Sequence, residues 1–208
     1  MDRVAQHRPA RSRRHGAGGM RGGLAVLWLL AGWTSAEAGE VLALDVAHED
    51  DRYTVFAEAI IHAPIGAVRA TLTDYAHLDR LNPSILRSDL LPSPGAGVTR
   101  VRTLIEACVL IFCRHFTRIE DVRMLDADRL EAELVADGSD FRAGQSDWRL
   151  VDVGPDTRLT YRASMTPAFG VPPLLGPVMI RRALQRELRT MLDNLEHLAR
   201  TPAARSAE

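Results

Sequence analysis

Cys108 and Cys113 stand in the stretch Glu106-Ala-Cys-Val-Leu-Ile-Phe-Cys-Arg-His115 and are the only two thiols of the 208-residue chain. Four bulky apolar residues separate them. A redox pair needs C-x-x-C spacing, and a structural zinc site needs more ligands than His115 and these two sulfurs supply. A disulfide is the chemistry left. If Leu110-Ile111 makes a two-residue turn, Cys108 and Cys113 face each other across a hairpin, close enough for an S–S bond. Closing so short a loop stabilises by about 2 kcal/mol on the chain-entropy estimate. Val-Leu-Ile-Phe holds none of the favoured hairpin-turn residues, and an odd-numbered loop would put the sulfurs on opposite faces. Both arrangements stay open on the sequence. The apolar tip itself, Val109 to Phe112, would face a cavity mouth, a bilayer or a partner.

The other chemistry-bearing residues are scattered. Histidines 48, 62, 77, 115 and 197 stand at no metal-ligand spacing, so neither a metal nor a cofactor is expected. Asp50-Asp51 and Glu120-Asp121 are adjacent pairs. Neighbours on a strand point to opposite faces, which makes these poor acid/base dyads and suggests solvent-facing or turn residues. No serine sits in a G-x-S-x-G elbow. The chain has no lysine, which removes Schiff-base catalysis and a phosphate-cradling P-loop. No catalytic residue is assigned on these grounds. Tyr161 is the best orienting group, because a buried phenol needs a hydrogen-bond partner that a ligand carbonyl could be. Arg142, in Ser-Asp-Phe-Arg-Ala-Gly, is the candidate for contact with a polar head group, against the plainer reading of a turn arginine in water.

These residues need elements to hold them. Six arginines precede an apolar run, Leu24 to Trp33, and Ala36-Glu37-Ala38 follows. Residues 1–38 thus have the layout of a secretory signal peptide, and the run falls short of the ~20 apolar residues that span a bilayer. Periplasmic or secreted location is expected, with anchoring through residues 24–33 as the alternative. Without that segment, 20 Arg face 25 acids, about −5. Nucleic acid, which needs a basic footprint, is excluded as a partner.

Residues 39–200 read as one domain, with 201–208 a flexible tail. Val41 to Ile61 is β-rich and broken at His48–Asp51, so it is one bent strand or two short ones. Pro64 opens a short helix carrying Val68 and Leu72, and Asp74 can cap a second that Pro83 ends. From Ser84 to Met165 strands alternate with turns. Leu130, Ala132 and Leu134, then Trp148 and Leu150, then Leu159, Tyr161, Ala163 and Met165 form apolar faces opposite polar ones, the pattern of an antiparallel sheet with one wet side. A long helix follows from about Pro177 to Ala199. Ile180, Leu184, Leu188, Met191, Leu195 and Leu198 make its apolar stripe. Arg181, Arg182, Gln185, Arg186, Arg189, Asp193 and Glu196 fill the other side. The connection into it, residues 167–177, is apolar and proline-rich. It must pack down, gate a cavity or touch a membrane or partner.

Strand, two helices, a run of strands and one long helix is the order in which the chain resembles the START-like superfamily, and within it the polyketide cyclase/dehydrase and coenzyme Q-binding branch. Residues 60–85, 139–169 and 177–199 carry the likeness. It implies an α+β helix-grip fold: a curved antiparallel sheet of about seven strands wrapped around the C-terminal helix. It also implies a deep cavity between sheet and helix. Trp148, Leu150, Leu159, Tyr161, Ala163 and Met165 would line it from the sheet, Phe169 from the loop, and Leu184 and Leu188 from the helix. For any one strand residue, plain core packing is the alternative. The resemblance implies binding, transport or sensing of a hydrophobic small molecule such as a lipid, quinone or polyketide-like compound. The alternative is a cyclase, aromatase or dehydratase using the same cavity. A monomer with transient membrane or envelope-protein contact is expected.

Overall fold

The computed structural model describes residues 39–109, 112–170 and 177–201. Residues 1–38, 110–111, 171–176 and 202–208 lie outside the described residues, and with them the expected signal peptide, the expected turn at Leu110-Ile111, most of the apolar connection and the expected tail.

The chain opens with a hairpin of β1 (Glu40–Glu49) and β2 (Arg52–Ile61). Its turn passes through Asp50 at φ 54°, a left-handed conformation that Asp tolerates better than most residues. Val41–Ile61 is therefore two strands. This raises the sheet from about seven strands to eight, and both short helices follow the second strand. Pro64 sits at the entry of α1 (Ile65–Leu72) with extended backbone, and Val68 and Leu72 are the buried face of that helix. The second helical segment, Tyr75–Arg80, is a 3-10 helix. The Asp74 side chain does not cap it; its Oδ1 lies 2.8 Å from His77 Nδ1.

Six strands follow: β3 (Ile85–Leu91), β4 (Val98–Val109), β5 (Phe112–Asp126), β6 (Arg129–Leu134), β7 (Phe141–Val153) and β8 (Asp156–Pro167). All pairings are antiparallel, in the order β1-β2-β8-β7-β6-β5-β4-β3. The helical stretch between β2 and β3 carries the chain from one side of the sheet to its far edge. In the β4–β5 hairpin Cys108 is directly opposite Cys113, and the two form a disulfide.

The C-terminal helix, α2 (Pro177–Arg200), lies against the concave face, giving the helix-grip architecture. Its stripe differs from the expected one in two places. Leu192 joins it, at 1% exposure. Glu196, expected on the wet side, is 3% exposed. Its Oε2 accepts the His62 backbone N–H at 2.8 Å, and Oε1 accepts from Arg200 at 3.3 Å. A hydrogen-bonded carboxylate can be buried where a bare one could not. The same Oε2 explains Gly39: a Cβ there would sit 2.8 Å from it and 2.8 Å from the Ile60 carbonyl oxygen. The stripe was misread because a periodic pattern scores residue type and cannot anticipate a backbone donor arriving from another element. Among the described residues, no helix is long and apolar enough to cross a membrane.

Candidate functional site

Trp148 on β7 and Tyr161 on β8 are cross-strand partners, with ring centroids 3.9 Å apart. Two residues further along the same faces, Ser146 is opposite Ala163. Above this part of the sheet, α2 contributes Leu184, Leu188 and Met191. The two surfaces touch around Val55, Leu188 and Tyr161, and a cavity of about 210 Å³ remains where the contact is incomplete. Val55, Leu130, Ala132 and Met165 extend its floor, and Leu72, Tyr75, Leu78 and Leu81 close one end.

The walls are mostly apolar, with a polar group at one place. Arg118 and Glu120 share a face of β5 and both line the cavity. Arg118 Nε lies 3.0 Å from Glu120 Oε2. The ion pair is bent enough that the buried Nε–H has no hydrogen-bond acceptor among the described residues. A small pocket beside the cavity is lined by the same Arg118, Glu120, Ser146 and Tyr161, so these side chains form one group. Burial pushes the Tyr161 phenol up to about 12, with Arg118 pulling it down and Glu120 pushing it up by lesser amounts. Tyr161 is therefore a neutral O–H at physiological pH, a donor and not a base. Glu187, at the roof, is already engaged: its Oε2 accepts the Ser84 hydroxyl at 2.6 Å.

The structure brings together Trp148, Tyr161, Met165, Leu184 and Leu188 around the cavity. Leu150 and Leu159, expected there, are 2% and 0% exposed in the solid core next to it. Ala163 borders only the small side pocket and an outer groove. Phe169 stacks on Phe116 at 4.6 Å, with the Arg114 guanidinium 4.8 Å from its ring. It belongs to an aromatic cluster beside the β4–β5 hairpin and not to the cavity wall. Arg142 is exposed and paired with Asp51, so the guanidinium facing the cavity is that of Arg118.

Arg118, Glu120 and Tyr75 were missed. Glu120 had been read with Asp121 as solvent-facing. The two do point to opposite faces, but Glu120 turns into the cavity and Asp121 is buried under Arg100, whose Nε donates to Oδ1 at 2.6 Å. That guanidinium holds the Asp121 carboxyl below its ordinary range. One signal was available: counting back by twos from apolar Val122 puts Glu120 and Arg118 on the inner face. Among the described residues, no three or more His, Cys, Asp or Glu gather where a metal could be held.

Comparison with known proteins agrees with this architecture. The family described as polyketide cyclase / dehydrase and lipid transport matches residues 52–200. No curated protein matches the chain in sequence. The aromatase/cyclase Zhui of Streptomyces sp. R1128 superposes with a TM-score of 0.58 at 17% identity, over 76% of this chain and 99% of that one. A STAR-related lipid transfer protein of Xanthomonas axonopodis gives 0.57 at 16% identity, over 76% and 99%. A START superfamily protein of Mycobacterium smegmatis gives 0.57 at 18%, over 71% and 97%. Identities this low speak for the fold, and the match over residues 52–200 speaks for the family. This chain belongs to the polyketide cyclase / dehydrase and lipid transport family, and its fold is the helix grip of the START-like superfamily.

Proposed function

We propose that the protein binds a hydrophobic small molecule in the cavity beneath α2, with the Tyr161 hydroxyl donating a hydrogen bond to a carbonyl or similar oxygen of the ligand. One observation carries the reading: a cavity with apolar walls holds a phenol that stays protonated to about pH 12. Such pockets place a few polar groups among apolar ones to fix orientation. Transport or sensing needs no more than this. Native mass spectrometry of gently purified protein, followed by organic extraction, tests it. An apolar, oxygen-bearing compound that co-purifies with wild type and is lost in Tyr161→Phe supports the reading. An empty protein that takes up no lipid, quinone or aryl ketone from a panel sinks it.

A second reading is favoured by Arg118 and Glu120. A carboxylate, a guanidinium and a neutral phenol around one cavity are the groups a cyclase or dehydratase of carbonyl compounds uses. Glu120 would take a proton next to a carbonyl that Tyr161 and Arg118 polarise. Turnover of a polyketide-like substrate by wild type, abolished in Glu120→Gln with ligand binding retained, separates catalysis from binding. Equal ligand recovery from both proteins without any product argues for a carrier.

The reading also places the protein outside the cytoplasm. The layout of residues 1–38 supports this, and so does a Cys108–Cys113 bond that needs an oxidising compartment. N-terminal sequencing of the exported protein tests it, and a mature chain beginning before residue 24 in the cytoplasmic fraction would count against it.

A further inference from the structure

Tyr75 and Val122 form a wall shared by the cavity and a second concavity. This is an open cleft of about 460 Å³ between the 3-10 helix and the β3–β4 turn. Thr73, Ser93, Thr99 and Met124 form its other walls, together with the small residues 95–97 of the turn. None of the residues lining this cleft is charged. Its rim is preformed. The Ser93 hydroxyl lies 2.7 Å from the Gly95 carbonyl oxygen and 2.6 Å from that of Val98, and Gly97 holds a left-handed φ of 73°.

Strand β5 measures the distance between the two ends. Arg118, Glu120, Val122 and Met124 are alternate residues on one face. Six residues at about 3.3 Å each span about 20 Å. Arg118 and Glu120 stand beside Tyr161, Val122 at the boundary of cavity and cleft, and Met124 in the cleft. Thr99 is the cross-strand partner of Val122, so its hydroxyl belongs to the cleft wall just past Tyr75. The enclosed part alone, about 210 Å³, falls below the ~300–1,000 Å³ of pockets that hold a drug-sized ligand. With the cleft added, the space suits a longer molecule.

We propose that the cleft is a second subsite, and that the ligand is an elongated molecule of three parts. An acceptor oxygen meets Tyr161, an apolar body fills the cavity, and an uncharged hydrogen-bonding group, hydroxyl- or amide-bearing, passes Tyr75 to seat against Thr99 and the 93–97 turn. This rests on the hydrophobic-ligand reading above and specifies the ligand's far end. A phosphate or carboxylate there would leave water without a partner charge, at a cost. A neutral polar group finds hydroxyls and turn backbone.

Three fluorescent probes test it on the full mature protein: 6-propionyl-2-naphthol, its 2-O-glucoside and its 2-O-phosphate. The naphthol reaches only the cavity; the other two carry a neutral or a charged group into the cleft. The glucoside is expected to bind about tenfold more tightly than the naphthol, the worth of one or two neutral hydrogen bonds. The phosphate is expected to gain nothing. Thr99→Trp, which fills the cleft, should erase the glucoside's advantage and leave the naphthol unaffected. Thr99→Val, which keeps the volume and removes the hydroxyl, should reduce the advantage about threefold. A glucoside no tighter than a bound naphthol overturns the subsite and leaves the cavity reading standing. A phosphate that gains as much as the glucoside overturns the neutral chemistry. Failure of all three probes to bind overturns the cavity reading and the subsite with it.

Discussion

Leu159 and Tyr161 stand two residues apart on the same face of β8, and Leu150 and Trp148 do the same on β7. Leu159 and Leu150 are sealed in a solid core; Tyr161 and Trp148 look into the cavity. The strands do not differ between the two places. What differs is the layer above them. Over Leu159 and Leu150, the C-terminal half of α2 brings Leu192, Leu195 and Ala199, and α1 adds Val68 and Leu72. Over Tyr161, the preceding turns of α2 bring Leu184, Leu188 and Met191, and α1 reaches only the cavity's end, through Leu72. The same alternating sheet is therefore a solid core where the helix side chains fill the space above it and borders a cavity where they leave it unfilled.

The largest effect that tests this difference is truncation of the two ends of α2. Leu195→Ala, at a site with no exposure, should cost about 3–4 kcal/mol in urea unfolding, because a fully packed leucine leaves a cavity behind. Leu184→Ala, at the hollow end, should cost about 1 kcal/mol or less and instead weaken ligand binding. Equal losses at both positions would erase the distinction between packed and hollow ends.

Next in size is the alkaline behaviour of Tyr161. Its folded value, about 12, lies above the ordinary 10.0. The folded state thus holds its proton more tightly than the unfolded chain. The contribution is complete below about pH 10 and is lost as pH rises from about 10 to about 12, roughly 2–3 kcal/mol in all. Absorbance near 295 nm should show Tyr161 ionising late, and Tyr161→Phe should remove that part of the alkaline destabilisation. A midpoint at the ordinary tyrosine value would mean that the cavity is open to water.

Glu196→Ala tests the packed end from its polar side. It leaves the His62 N–H without its acceptor and should cost about 1–3 kcal/mol, with little change in binding, because the carboxylate lies away from the cavity. The smallest effect belongs to Tyr161→Phe at neutral pH. Unfolding should shift by less than about 1 kcal/mol, while affinity for an aryl ketone falls about tenfold. A loss of stability without a loss of affinity would make Tyr161 a core residue after all.

Much of this organisation was legible beforehand. Alternation in 130–134, 148–150 and 159–165 and the helical stripe from Leu184 to Leu198 depend on local periodicity, which a sequence carries directly. Periodicity put Trp148, Tyr161, Met165, Leu184 and Leu188 on apolar faces, and the family resemblance implied that those faces line a cavity. Glu196 was not legible, since a buried carboxylate is tolerated only because of a partner far along the chain, whereas Glu120 left one sign, its place on the same strand face as Val122. His62 N–H lies 134 residues from Glu196. Arg142 was singled out as a turn arginine that could meet a head group, but it lies on β7, exposed and paired with Asp51, while Arg118 faces the cavity from β5.

The sequence by itself determined which faces are apolar, where most turns fall and the order of elements, because these follow from side-chain period and turn chemistry; the family came from the resemblance carried by residues 60–85, 139–169 and 177–199. It left open whether Val41–Ile61 was one strand or two, whether Cys108 and Cys113 would meet, and which apolar residues would touch one another and which would surround a space. Only the tertiary structure decided these. A strand face presents the same pattern to a core and to a cavity, and the outcome depends on how completely the side chains of the layer above fill the space against it.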